Sequence, residues 1–119
     1  MTLQVNDLKS IANRRIRSAS SSLTKFVLIF EDGEGLELEA GGSTVHIEAR
    51  VLPAHELQEQ TEAVCKVDWS WIVSSDIKAV SLSSASVVFQ LQPAGDLTIG
   101  AQMWQGSAFL SFMPWRPAK

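Results

Sequence analysis

His46, Glu48 and Arg50 alternate along one short stretch, so in an extended strand their side chains share a face. Glu37 and Glu39 have the same spacing on what reads as the neighbouring strand. A histidine among carboxylates can act as a general base or hold a metal. A strand pair offers a metal at most His46 and Glu48, however. A third ligand would have to come from His55 or elsewhere, and no spacing points to one. A solvated sheet face laced with cross-strand ion pairs accounts for the same residues more simply. The expectation is therefore a polar face made of Glu37, Glu39, His46, Glu48 and Arg50, with no metal and no catalytic group.

Other chemistry is equally thin. Cys65 lies between Val64 and Lys66, outside any glycine-flanked nucleophile elbow, and reads as a small buried hydrophobe. Neither the phosphate-cradling GxxxxGK[ST] pattern nor GxGxxG occurs, and no cofactor is expected. Glu31-Asp32-Gly33-Glu34 lacks the alternating ligands of a calcium loop, and its glycine suits a hairpin turn. Lys9, Arg14, Arg15 and Arg17 form a basic cluster without interleaved aromatic residues, so no nucleic-acid partner is expected. These cations also fall near the predicted end of a short helix, where the helix dipole favours them.

The aromatic residues point elsewhere. All four tryptophans, Trp69, Trp71, Trp104 and Trp115, lie in the second half. Trp69 falls on a predicted core position. Phe109 and Met113 fall on the outward side of the last strand, with Met103 and Trp104 at the preceding turn. Trp71, Met103, Trp104, Phe109, Met113 and Trp115 are thus the candidates for a ligand site or an interface, since exposed aromatic and methionine side chains mark such places. The competing reading is that a helix or the connector of the same chain covers this patch.

These residues must be positioned by a chain of 119 residues that is 45% hydrophobic and 19% charged, with a net charge of −3. That is material for one domain, residues 1–119, with a packed core. No apolar run reaches the roughly 18 residues of a membrane span, and no secretory leader pattern is visible. The single cysteine excludes an internal disulfide, and the expected location is the cytoplasm. The charge is uneven. Residues 1–25 carry five cations against Asp7, whereas residues 26–64 carry nine carboxylates against Arg50. Two adjacent blocks of opposite sign are expected to lie close and neutralise each other.

The most informative feature is an internal repeat. Residues 7–40 slide onto 68–101 without a gap, matching Ile11 to Ile72, Ile16 to Ile77, and Phe26, Leu28 and Phe30 to Val87, Phe89 and Leu91. Leu36, Leu38 and Ala40 meet Leu97, Ile99 and Ala101. Beyond that a shift of two residues aligns Val45, Ile47 and Ala49 with Ala108, Leu110 and Phe112. The repeats are placed at 5–51 and 66–114, with a connector at 52–65.

Each unit reads as a short helix, N-capped by Asp7 or Asp68, followed by four strands. Leu8, Ile11 and Ala12, and Trp69, Ile72 and Val73, form the helical stripes. Ser18–Ser22 suits a loop by composition and a helix by spacing, and the repeat decides for a strand. Asp32-Gly33 marks a hairpin, and Leu36 and Leu38 alternate with wet Glu37 and Glu39. One apolar face alone cannot offset the ordering entropy of so small a unit, so the two are expected to pack on each other. The expected fold is mainly β (α+β): two helix-plus-four-strand repeats in a sandwich or partly closed barrel with pseudo-two-fold symmetry. The expected function is a non-enzymatic protein–protein interaction module acting as a homodimer. The alternative is a small-ligand-binding β domain with an aromatic pocket, and a His-dependent hydrolase or isomerase ranks third.

Overall fold

Among the described residues the chain forms eight strands, most with apolar side chains at alternate positions turned inward. The structure, a computed structural model, describes residues 11–41, 46–57, 68–83 and 85–113. The strands are β1 (Ile16–Ser21), β2 (Lys25–Phe30), β3 (Glu34–Ala40), β4 (Ile47–Pro53), β5 (Asp76–Leu82), β6 (Ser86–Gln92), β7 (Gly95–Trp104) and β8 (Ser107–Met113). They form two four-stranded antiparallel sheets, each a simple meander, in the orders β1-β2-β3-β4 and β5-β6-β7-β8. Every neighbour in a sheet is also the next strand in sequence, so no strand is shared between the two.

The turns follow from local chemistry. Gly33, at φ 94°, takes the left-handed position of the β2–β3 turn, and the Glu34 N–H donates to Asp32 Oδ1 at 3.0 Å. Gly95 does the same between β6 and β7 at φ 100°. β1 forms although it is serine-rich. Ser20 and Ser21 are buried, and the Trp69 indole N–H donates to Ser21 Oγ at 2.9 Å. A small hydroxyl residue lets the ring approach and satisfies its only donor.

The inner faces of both sheets join one core. Phe26, Leu28, Phe30, Leu36 and Leu38 meet Val87, Phe89, Leu97, Ile99 and Phe112 there, together with Ile11 and Ile72. Trp69 sets its ring edge-on against Phe26 and Phe112, with centroids 4.9 and 5.1 Å away. The two sheets are laid out alike. Both first strands carry a register irregularity, between Ile16 and Ser18 and between Ile77 and Ala79. Leu38 pairs with Ala49 in one sheet, and Ile99 with Phe112 in the other.

The expected helices are absent among the described residues. Ile11 and Ile72 are fully buried as predicted, but each sits in a single turn. The Arg14 N–H reaches Ile11 O, the Ser75 N–H reaches Ile72 O, and the chain then leaves. Asn13 and Ser74 adopt left-handed conformations, φ 68° and 70°, which stop a helix. Val73, expected on the apolar stripe, is exposed for the same reason. Asp7 and Leu8 lie outside the described residues. β4 runs through Leu52 to Pro53, into the stretch expected to be a connector, and a 3-10 turn over Ala54–Glu56 follows.

The opposite charge blocks do meet. Arg14 spans the β2–β3 turn, 2.8 Å from Glu34 and 3.3 Å from Asp32, with its guanidinium over the Phe30 ring. Lys25 lies 3.7 Å from Glu39.

Candidate functional site

The two outward faces hold the candidates. On the first sheet, β3 and β4 place Glu37 opposite Arg50 and Glu39 opposite Glu48. The Arg50 guanidinium occupies the centre, with Nη1 3.3 Å from Glu37 Oε1 and Nη2 3.4 Å from Glu48 Oε2 and 3.7 Å from Glu39 Oε1. His46 Nε2 lies 3.7 Å from Glu48 Oε1, and the imidazole covers Gly41, where a Cβ would collide with it. The five expected polar-face residues are thus brought together: Arg50 pairs with Glu37, Glu39 and Glu48, and His46 lies beside Glu48. No group of three His, Cys, Asp or Glu side chains among the described residues can hold a metal. His55 is exposed on the 3-10 turn, and Cys65 lies outside the described residues.

This face is less wet than its alternation implies. Glu37 is buried, and so is Val27 on the same side of β2. Leu57, carried back across the sheet by the 3-10 turn, stands where a Cβ on Gly35 would have to go. The Ala54 N–H donates to Gly33 O at 2.9 Å and fixes that return. Between β1 and the returning segment lies a cleft of about 250 Å³, floored by Val27 and Ile29 and rimmed by Arg17, Ser18 and Leu57.

On the second sheet the corresponding ladder positions are uncharged. Thr98 pairs with Met113, Gly100 with Ser111 and Gln102 with Phe109. Gln102 donates to Ser111 Oγ at 3.1 Å. At the edge of this sheet the β1–β2 turn reaches over, and the Leu110 N–H donates to Leu23 O at 2.8 Å. The contact opens an apolar cleft of about 280 Å³ lined by Leu23, Ser107, Ala108 and Phe109.

No protein-family model, curated protein or solved structure matches the chain.

The aromatic candidates divide among different places. Phe109, half-buried, lines the apolar cleft. Met103 pairs with Ala108 and is exposed, and Trp104 pairs through its backbone with Ser107 at the end of the same hairpin. Met113 is 72% exposed at the opposite end of β8, four residues from Phe109. Trp71 packs against the core instead. Trp115 lies outside the described residues. Leu23 was not legible as a candidate. It is a lone apolar residue in a Ser/Thr-rich turn, and only its cross-sheet hydrogen bond reveals its place.

Proposed function

We propose that the protein is a non-enzymatic interaction module that associates with a second copy through the edge of the second sheet. The observation that carries this reading is the cleft between Leu23 and Phe109, which is apolar, open and bordered by uncharged β7–β8 positions. Apolar surface of this kind gains by leaving water, and a neutral face sets no like charges against each other across a two-fold axis. Met113, on the same face of β8 as Phe109, adds adaptable contact area. The finer architecture belongs to the same proposal: two related units, packed as a sandwich or partly closed barrel about a pseudo-two-fold axis. A cytoplasmic location fits a chain whose single cysteine has no internal partner for a disulfide.

The test is light scattering across a concentration series for the native chain and for Phe109→Glu. The proposal expects a concentration-dependent dimer that the variant loses while keeping its circular dichroism. A native chain that stays monomeric at high micromolar concentration would overturn it. The second reading, a small-ligand site in the same cleft, is favoured only by the cleft's concavity. Its volume falls just below the roughly 300–1,000 Å³ usual for ligand pockets.

A further inference from the structure

The seam between the sheets is built from hydrogen bonds that come in pairs. The Asn13 N–H donates to Ile77 O at 2.6 Å, and the Ser74 N–H donates to Ile16 O at 2.8 Å. The Ile16 N–H donates to Ser75 O at 3.0 Å, and the Ile77 N–H donates to Arg14 O at 3.0 Å. Within each pair, one bond becomes the other when every residue is exchanged for the residue 61 positions away. The same exchange relates the left-handed residues Asn13 and Ser74. At the centre, Arg15 bridges Asp76, and these two are themselves 61 positions apart. The first unit therefore touches the second as the second touches the first, which is the arrangement of an isologous dimer interface.

We infer that this seam is a protein–protein interface held within one chain: the first unit recognises the second as a partner, and that partner can equally come from another copy of the chain. The inference rests on the reading of the chain as two related units. Its physical basis is that recognition does not depend on connectivity. Each sheet holds strands of one unit only. The shared core and the cross-unit hydrogen bonds from Trp69 to Ser21 and from Leu110 to Leu23 are likewise contacts a separate chain can make.

The centre of the seam also sets which pairing is preferred. Arg15 Nε lies 3.0 Å from Asp76 Oδ1, and this hydrogen bond and the carboxylate charge raise the Arg15 pKa above its ordinary value. Two first units would set Arg15 against Arg15, and two second units Asp76 against Asp76. Only the mixed pair joins opposite charges, so the remaining choices are disfavoured by repulsion.

The experiment inserts a protease site between Leu57 and Asp68 of the full chain, cleaves it, and follows the fragments by native mass spectrometry and circular dichroism. The fragments are expected to remain a one-to-one complex with the spectrum of the uncut chain. They are expected to return to mixed pairs after unfolding and dilution, and to exchange with isotope-labelled fragments. Neutralising the centre, with Arg15→Gln and Asp76→Asn together, is expected to lower the ratio of mixed to like pairs by about two- to fivefold, the scale of one exposed ion pair. Fragments that separate and unfold at micromolar concentration would overturn the inference. So would mixed and like pairs in statistical proportion before neutralisation. The reading it rests on fails by a different result, an experimental structure in which the two units do not superimpose.

Discussion

Glu37 faces Arg50 and Glu39 faces Glu48 in the first sheet, where Thr98 faces Met113 and Gly100 faces Ser111 in the second. The ladders around these pairs are laid out alike, and the side chains beneath them enter the same core. The outward chemistry is nonetheless opposite: a guanidinium shared by three carboxylates on one side, neutral residues beside an apolar cleft on the other. The contrast teaches that inward positions are constrained by a shared core. Outward positions answer only to whatever lies over them. On the first sheet that is Leu57 and the returning chain; on the second, the apolar cleft lies at the edge.

The largest effect is expected in the core that both sheets share. Phe26→Ala and Phe89→Ala each remove a fully buried ring from opposite sheets. Each is expected to cost about 3–5 kcal/mol in urea unfolding. A large loss at one and a small loss at the other would show that the core is not shared equally.

The next test separates a covered outer face from an open one. Gly35→Ala drives a methyl group into Leu57 and the Leu28 carbonyl and is expected to destabilise by about 1–3 kcal/mol. Gly100→Ala meets Ser111 Oγ at 3.2 Å and the Ala85 carbonyl at 3.9 Å and is expected to stay within about 1 kcal/mol of neutral.

A smaller effect distinguishes the two chemistries. Arg50→Ala leaves the buried Glu37 carboxylate beside Glu39 and Glu48 without its cation, at an expected cost of about 1–2 kcal/mol in the same assay. Thr98→Ala, in the Thr98–Met113 pair that matches Glu37–Arg50, is expected to change stability by no more than about 0.5 kcal/mol. Smallest of all, 1 M salt screens the partly exposed pairs of the first face. It is expected to shrink the Arg50→Ala penalty without altering the Thr98→Ala result.

Much of this molecule was legible from side-chain alternation. Leu36 and Leu38, like Leu97 and Ile99, alternate with polar or small neighbours as inward strand residues do; the repeat singled out Phe26, Leu28 and Phe30 from a run that is apolar at every position, and the glycines of the two hairpins marked their turns. The helices were misread because Ile11 and Ile72, each the last buried residue before a left-handed one, fit a helical stripe equally well. The backbone donors that would have continued a helix are spent across the seam. At the polar face the residues were legible and the degree of burial was not. Glu37 alternates with leucines as a wet residue would, yet neighbours cover it.

The amino-acid order by itself determined the strands after β1, most of their inward sides and the charged character of one outer face. These properties depend on spacing of two along an extended backbone and on residue type. Tertiary structure decided that Asn13 and Ser74 end their turns to serve the seam, that Leu57 returns over Gly35, and that Leu23 meets β8. Each of those contacts joins residues far apart in the chain, and their energy exists only once the sheets have come together.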